Sequence, residues 1–196
     1  GSGVTTCEIK TGYGLDLETE RKMLEVIIRL GETEKIDIIP TFLPAHAVPP
    51  EFKGCADDYV ELICSVMLPQ IASEILPGLS VPIFVDVFCE KNAFDLTQSK
   101  KILERAKELG FALKAHVDEF TNLGGARMAI GLGATSIDHL DAISDEEVGL
   151  LASSDTIGVV TPTVNFNLGA KEFADARKMI DRGCAIAVST DYNPGS

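Results

Sequence analysis

All three histidines of the sequence lie at or next to the ends of runs that have the composition of β-strands. His46 follows one such run, His116 lies inside a later one, and His139 lies near the end of the next. An imidazole can bind a metal ion or transfer a proton near neutral pH. In barrels of strands and helices the chemistry lies at the carboxyl ends of the strands. The shared placement of the histidines therefore predicts a functional site.

Two carboxylates accompany these histidines. Glu119 closes the run that carries His116, and Asp191 closes the last run of the chain. A neutral imidazole and a carboxylate are suitable metal ligands, so His116 and Asp191 are candidates for that role. Because side chains alternate along a strand, His116 and Glu119 can face one centre only if the strand ends or bulges at Asp118. Asp118 and Asp138 point away from their neighbours, which favours structural or supporting roles.

Two loops add polar groups beside the same strand ends. Tyr13 stands between glycines in the loop 11–14, where a flexible backbone can present its ring to a cleft. The tail 191–196 places the Asn193 amide and backbone donors after the last run, which suits an anionic or carbonyl group. Each loop also has a simpler interpretation, a plain turn with a packed tyrosine in the first case and a Pro-Gly turn in the second.

Other reaction chemistries lack a motif in this sequence. The glycines between 122 and 133 lack both a following G-K-[ST] and the G-x-G-x-x-G spacing, so no phosphate-binding loop is predicted. No G-x-S-x-G elbow and no cysteine next to a histidine supports a serine or cysteine nucleophile. The five cysteines are scattered without a C-x-x-C pair, which predicts reduced thiols rather than disulfides or a cysteine zinc site.

The composition is that of an ordinary globular chain, with 45% hydrophobic and 24% charged residues among 196. The formal net charge of −13 repels phosphate backbones, so a nucleic acid is not an expected partner. No apolar stretch is expected to reach the roughly 18–20 residues of a membrane span, and no signal peptide opens the chain. We therefore predict a soluble, cytoplasmic protein that does not bind a membrane.

The elements that must position the candidate residues alternate along the chain. Seven runs rich in β-branched and apolar residues are predicted as strands, because strands covered on both faces are almost continuously apolar. These runs are 4–10, 35–43, 81–90, 112–119, 135–140, 156–164 and 185–191. Helices are predicted at 17–30, 55–76, 97–109 and 124–132, after the Ser144 capping box, and along the stripe Phe173, Ala176 and Ile180.

Alternation of strands and helices is typical of either an open doubly wound sheet or a (β/α)8 barrel. A complete barrel typically needs about 250 residues, more than this chain has. The chain shows no low-complexity linker and no break in composition. We therefore predict a single domain over residues 1–196 that forms an α/β barrel lacking a piece.

A histidine on one strand, a histidine on the next and an aspartate closing the last resemble the amidohydrolase superfamily of metal-dependent barrels. At finer grain, five stretches are together similar to the imidazolonepropionase family: VTTCEIKTGYGLDLETE, PTFLPAHAVPPEFKG, VDVFCEKNAFDLTQSKKIL, AHVDEFTNLGGA and STDYNPGS. The stretch TPTVNFNLG is less aromatic than its counterpart in that family, which affects the expected shape of the pocket. The resemblance covers essentially the whole chain, and it implies a TIM barrel of the metal-dependent hydrolase type.

The resemblance also implies an activity and a role for each candidate residue. The family hydrolyses 4-imidazolone-5-propanoate to N-formimidoyl-L-glutamate in histidine degradation, with one zinc or iron ion in the active site. His116 and Asp191 are implied to be metal ligands, and Glu119, His139 and Asp191 to be catalytic. The residues implied to bind the substrate are Tyr13, His46, Glu119, Asn193, Gly195 and Ser196.

One element of the superfamily is missing from the sequence. The first strand of these barrels carries an H-x-H pair that supplies two further ligands, and this sequence contains no H-x-H. We therefore expect the chain to be a fragment comprising about strands two to eight of the barrel. On its own, such a fragment is expected to bind metal weakly and to show little or no turnover.

Two other interpretations stay open. One is another cyclic amide hydrolase or a deaminase of the same superfamily, and the other is a non-catalytic barrel fragment that serves as a scaffold or binding module. The sequence also leaves open which metal is used and how the proton transfers are divided among the candidate residues. A homodimer is one expected assembly, because such barrels are commonly dimers.

Overall fold

The computed structural model describes residues 3–193, whose seven strands alternate with helices. Each of the seven predicted runs overlaps a strand, and the second strand continues two residues past its run, to Ala45. The strands are Thr6–Lys10 (β1), Asp37–Ala45 (β2), Phe84–Cys89 (β3), Ala112–Val117 (β4), Ser136–His139 (β5), Ile157–Val160 (β6) and Ile186–Val188 (β7). The predicted α/β class is therefore confirmed.

The helices occupy the intervals between the strands. They are Leu17–Thr33 (α1), Ala56–Leu62 (α2), Leu68–Glu74 (α3), Leu96–Glu108 (α4), Gly125–Leu132 (α5), Asp145–Ala152 (α6), Pro162–Leu168 (α7) and Ala176–Asp181 (α8). A π-helical segment, Ile63–Met67, joins α2 to α3, and short 3-10 turns lie at Pro50–Phe52 and Leu76–Gly78. The Ser144 capping box is present, with Glu147 as its reciprocal partner.

Two of the predicted elements are wrong in part. The strand predicted over 156–164 ends at Val160, and α7 begins at Pro162 instead. Proline is favoured in the first turn of a helix, because its fixed φ suits the helix and its missing N–H would be unpaired there anyway. The predicted stripe through Phe173 is wrong as well, since α8 begins only at Ala176 and Phe173 lies outside it and is exposed.

The chain divides into two compact units. The first unit contains Gly1–Phe88 and Thr97–Leu113, and within it β1 pairs in parallel with β2, and β2 with β3. The second unit contains Cys89–Leu96 and Lys114–Ser196, and within it β4, β5, β6 and β7 pair in parallel in that order. Parallel neighbours joined through helices place the carboxyl ends of the strands of each unit on one side. The single domain over 1–196 stays a prediction.

The helical segment Ala56–Gly78 corrects one expectation. By length and composition alone it is apolar enough to cross a membrane, with a mean hydropathy of 1.4, so the prediction that no stretch reaches this length is wrong. Its apolar side is nevertheless buried within the first unit, where Ile63, Met67 and Ile71 are fully covered. The Tyr59 hydroxyl donates a hydrogen bond of 3.0 Å to the Pro44 carbonyl. The segment is packed as a core helix of that unit.

Helix α5 provides a matched pair of glycines that tests the packing of the second unit. A Cβ on Gly125 would lie 2.8 Å from Val117 Cγ1 and 3.3 Å from Cys89 Sγ, whereas a Cβ on Gly131 would meet nothing within 4 Å. Gly125→Ala is therefore expected to lower the free energy of unfolding by about 1–3 kcal/mol through overpacking. Gly131→Ala is expected to raise it by about 0.5–1 kcal/mol, because alanine has the higher helix propensity. Urea unfolding monitored by circular dichroism measures both, and equal effects of the two substitutions would contradict the packing described here.

Candidate active site

The two histidines of the second unit lie side by side at the ends of neighbouring strands. In the β4–β5 register, His116 is opposite Asp138, and Val117 is opposite His139. The imidazole rings of His116 and His139 have centroids 5.2 Å apart and are tilted by 39°. Both side chains are buried, with 7% and 2% of their surface exposed. The structure therefore brings these two predicted residues together.

The backbone at Asp118 brings Glu119 to the same side. Strand β4 ends at Val117, and Asp118 adopts a left-handed conformation with φ of +55°. This break confirms the expectation that the strand must end or bulge at that residue. One carboxylate oxygen of Glu119 consequently lies 3.7 Å from Nε2 of His139, and both side chains are largely buried. His116, Glu119 and His139 thus form one cluster, which we call the His–Glu cluster.

The orientation of His139 is set by a residue that the sequence did not single out. The Thr161 hydroxyl and Nδ1 of His139 form a buried hydrogen bond of 3.0 Å. Since Nδ1 is engaged, Nε2 is the ring nitrogen that faces Glu119. Thr161 directly follows β6, so a hydroxyl immediately after a strand was the available signal.

Burial changes the protonation of Glu119. Its pKa is raised to about 7, with desolvation as the largest cause; His116 opposes the rise, and the charges of Asp191, Asp141 and Glu90 add to it. A carboxyl group with a pKa near 7 is present in both protonation states at neutral pH. It can therefore donate or accept a proton there, which an ordinary exposed glutamate does poorly.

Asp118 is buried without a partner of its own. Its side chain is 1% exposed, and within residues 3–193 neither carboxylate oxygen has a hydrogen-bond partner. Burial, followed by the charges of Glu147 and Glu90, raises the pKa of Asp118 to about 7. Its backbone carbonyl, in contrast, accepts a hydrogen bond of 2.7 Å from the Ala142 amide. These features agree with a supporting position rather than with contact to a reactant.

Asp191 follows the last strand of the second unit. It has a left-handed backbone with φ of +47°, and its carboxylate acts on the pKa of Glu119. The Asn193 side-chain amide donates a hydrogen bond of 2.8 Å to the Asp191 carbonyl, which closes the turn after β7. The predicted substrate-binding residues Gly195 and Ser196 lie outside the described residues.

Asp138 joins His116 as a possible metal ligand. Its carboxylate offers an oxygen within 4.8 Å of a His116 ring nitrogen, and the side chain is 6% exposed. Alternation along the strand assigned Asp138 a supporting role at the sequence level. The β4–β5 register, which only the folded sheet defines, places it directly opposite His116.

The first unit holds the other predicted pair, Tyr13 and His46. Their rings meet edge to face with centroids 5.1 Å apart, and Tyr13 remains 52% exposed. Nδ1 of His46 lies within hydrogen-bond distance, 2.8 Å, of the Gly12 carbonyl. Gly12 has φ of +107°, and a Cβ there would lie 2.9 Å from the Leu43 carbonyl oxygen, so this position requires glycine. An exposed aromatic ring braced by an imidazole is suited to contacting a ring-shaped ligand.

Sequence reasoning missed two further polar residues of the first unit, Asp86 and Glu20. Asp86 is fully buried in β3, and one of its carboxylate oxygens accepts a hydrogen bond of 2.8 Å from the Lys10 ammonium. A single carboxylate inside the apolar run 81–88 was the signal that could have identified it. A buried charge that is paired and hydrogen-bonded avoids the large cost of isolation in the interior.

A buried carboxylate holds the Tyr13 loop in place. Glu20, the fourth residue of α1, is fully buried and accepts hydrogen bonds from three backbone amides. The donors are Gly12 at 2.8 and 3.1 Å, Gly14 at 2.7 Å and Leu15 at 3.0 Å. These amides flank Tyr13 on both sides, so the position of its ring depends on Glu20.

The chain is similar in fold to solved structures of two enzymes. No family model matches the chain. Its fold is similar to that of guanine deaminase from C. acetobutylicum, solved with bound guanine (TM-score 0.72, 14% identity, 96% of this chain and 46% of that chain). It is also similar to that of an atrazine chlorohydrolase of Arthrobacter aurescens in complex with zinc and atraton (TM-score 0.66, 12% identity, 96% and 45%). The chain therefore shares the fold of the matched part of these two enzymes.

The relatives that are similar in sequence carry the name of one enzyme, imidazolonepropionase. The chain is 52% identical over 198 residues to imidazolonepropionase of Chloroflexus aggregans, covering 99% of the chain and 46% of that protein. It is 48% identical over 194 residues to imidazolonepropionase of Caldanaerobacter subterraneus subsp. tengcongensis, covering 99% and 45%. The resemblance to imidazolonepropionase is thus confirmed over nearly all of the chain. The chain spans a little less than half the length of these curated relatives.

Exchange of Glu20 tests the loop that carries Tyr13. Glu20→Gln keeps the side-chain volume but removes the negative charge and replaces one of the two acceptor oxygens with an NH2 group. The three backbone amides then share one weaker acceptor oxygen at most. We expect a loss of about 1–3 kcal/mol in the free energy of unfolding. We also expect faster hydrogen exchange at Gly12, Gly14 and Leu15, measured by NMR. Glu18→Gln, an exposed change on the same helical turn, is the matched control. Unchanged exchange in Glu20→Gln would show that the hydrogen bonds to Glu20 do not hold the Tyr13 loop.

Proposed function

We propose that the protein containing this chain hydrolyses the cyclic amide C–N bond of 4-imidazolone-5-propanoate, a step of histidine degradation. The product is N-formimidoyl-L-glutamate, and this chain supplies the catalytic core as about strands two to eight of a (β/α)8 barrel. The names of its sequence relatives support the reaction class. The observation that carries the proposal is the His–Glu cluster, in which Glu119 lies 3.7 Å from Nε2 of His139 beside the His116 ring.

A single zinc or iron ion is the proposed cofactor. We propose His116 and Asp191 as ligands, with Asp138 as a further oxygen donor close to His116. The His116 ring nitrogen and the Asp138 carboxylate are buried and close together, and donors of these types fit a divalent cation. When bound, such an ion lowers the pKa of a water molecule and so supplies a nucleophile near neutral pH.

The side chains of the second unit can then divide the proton transfers. Asp191 accepts a proton from the attacking water, whose oxygen forms a bond to the ring carbonyl carbon. His139 polarises the carbonyl oxygen while negative charge develops on it. The ring C–N bond breaks, and Glu119 delivers a proton to the departing ring nitrogen. The raised pKa of Glu119, about 7, suits this transfer, because the group is partly protonated at neutral pH.

Substrate binding is proposed for the remaining candidates. Tyr13 and His46 are proposed to contact the substrate, and their edge-to-face arrangement supports binding of a flat ring. Asn193, together with Gly195 and Ser196 beyond the described residues, is proposed to hold the ring or the propanoate-derived end. We further propose a cytoplasmic enzyme of a small-molecule substrate, assembled as a homodimer, with no nucleic-acid or membrane partner.

Replacement of Glu119 tests the proton-transfer assignment. In the full-length enzyme, Glu119→Gln is expected to lower kcat by about 10²–10⁴-fold, because the leaving nitrogen loses its proton donor. Since the protonated form is the donor, the wild-type kcat should fall as the pH rises through about 7, and this decline should be absent in the variant. Steady-state hydrolysis of 4-imidazolone-5-propanoate across pH 5–9 measures both effects. Glu146→Gln, an exposed change in the same unit, is the control, and a normal kcat in Glu119→Gln would remove the assignment.

Replacement of His116 tests the metal assignment separately. His116→Ala is expected to reduce the metal content of the purified full-length enzyme far below one ion per chain, since one proposed ligand is lost. Elemental analysis of zinc and iron gives this readout without any assay of activity. Glu119→Gln should retain the metal, so the two variants separate binding of the ion from proton transfer. A full complement of metal in His116→Ala would show that this residue is not a ligand.

A further inference from the structure

A second buried carboxylate, Glu90, lies directly after β3 and contacts the loop that follows β4. Glu90 is 3% exposed, and its carboxylate accepts hydrogen bonds from the amides of Phe120 and Thr121, both at 3.0 Å. It also accepts a short hydrogen bond from the Thr121 hydroxyl and one of 2.8 Å from its neighbour Lys91 N–H. Four donors thus converge on one carboxylate inside the second unit.

These contacts anchor the backbone immediately after Glu119. On the other side of Glu119, the Asp118 carbonyl accepts the Ala142 amide at 2.7 Å. Glu119 is therefore held between two fixed peptide segments, one tied to the loop after β5 and one tied to Glu90. The anchor through Glu90 holds the backbone beyond Asp118, where, within residues 3–193, the strand β4 has already ended at Val117.

Glu90 is suited to this task by its charge. Burial alone would raise the pKa of Glu90, but the hydrogen bonds from Thr121, Lys91 and Phe120 outweigh it and hold the pKa below the usual value. An ionised carboxylate is a stronger acceptor than a neutral group, and its bonds to backbone amides are correspondingly firm. The end of β3 therefore acts as a fixed point for the loop that carries Glu119.

We propose that Glu90 is a positioning residue for the hydrolytic reaction, which holds Glu119 at His139 by binding the Phe120 and Thr121 amides. This inference rests on the proposed function, since it assigns Glu90 an effect on the proton transfer of Glu119. A displacement of about 1 Å in a catalytic group can cost about 10²-fold in rate. We call the hydrogen bonds from the Phe120 and Thr121 amides to Glu90 the clamp. Loss of the clamp should lower kcat while the affinity for the substrate changes little.

The test uses the full-length enzyme and compares kcat with KM. Glu90→Gln is expected to lower kcat by about 10–100-fold with KM within about threefold of wild type. Thr121→Val, which removes only the hydroxyl donor, is expected to have a smaller effect in the same direction. Val148→Ala, a buried change in α6 away from the clamp, provides a variant of reduced stability and should keep its kcat. An equal fall of kcat in Val148→Ala would assign the effect to lost stability and overturn the proposal.

A double-substitution cycle decides whether Glu90 acts through Glu119. In an enzyme that already carries Glu119→Gln, addition of Glu90→Gln should not lower the single-turnover rate constant of hydrolysis any further. The reason is that there is no proton donor left to position. Equal fold losses in both backgrounds would overturn the proposal. If Glu90→Gln does not fold, Thr121→Val in the same two backgrounds gives the same comparison.

Hydrogen exchange separates this inference from the proposed function. Faster exchange of the Phe120 and Thr121 amides in Glu90→Gln is expected whatever the substrate is, because the acceptor of both amides is weakened. Unchanged exchange would overturn the clamp even if the enzyme hydrolyses 4-imidazolone-5-propanoate. Conversely, a wild-type enzyme that does not hydrolyse this compound contradicts the proposed function, while the exchange result stands by itself.

Discussion

The left-handed turn at Asp118 is the constraint on which the site depends. A regular strand would send the side chain of Glu119 to the face opposite His116, because side chains alternate along a strand. The turn costs about 1–2 kcal/mol for a residue other than glycine. It is maintained by the hydrogen bond from Ala142 to the Asp118 carbonyl and by the contacts of the following amides with Glu90. The left-handed conformation at Asp118 is what places the Glu119 carboxylate next to His139.

Buried carboxylates recur as the device that fixes loops after strands. Glu20 holds the amides around Tyr13, and Glu90 holds those after Glu119. Glu147 binds the Ser144 amide and the Asn122 side chain, both in loops that follow strands of the second unit. A buried charge is tolerated only when several donors satisfy it, so each of these carboxylates imposes a definite arrangement on its loop. Rigid loops of this kind can present functional side chains with little loss of entropy on binding.

Part of this arrangement could be predicted and part could not. The apolar runs identified the strands, and the histidines at their ends predicted the region of the candidate site. The helix at Pro162 was missed because seven of the nine residues of the run TIGVVTPTV are β-branched, while the position of the proline decided the local structure. Asp138 was assigned a supporting role because alternation describes one strand alone, whereas the register with the neighbouring strand places it opposite His116.

The sequence by itself determined the alternation of strands and helices, the types of the candidate residues and the resemblance to imidazolonepropionase. These properties are local or additive along the chain, so composition, periodicity and motif spacing reveal them. Only the tertiary structure decided that Glu119 reaches His139, that Thr161 orients the imidazole, and that Glu90 holds the following amides. Such contacts join residues 20 or more positions apart, and they depend on strand register, on left-handed backbone at Asp118 and His139, and on burial. No pattern in a single segment encodes them.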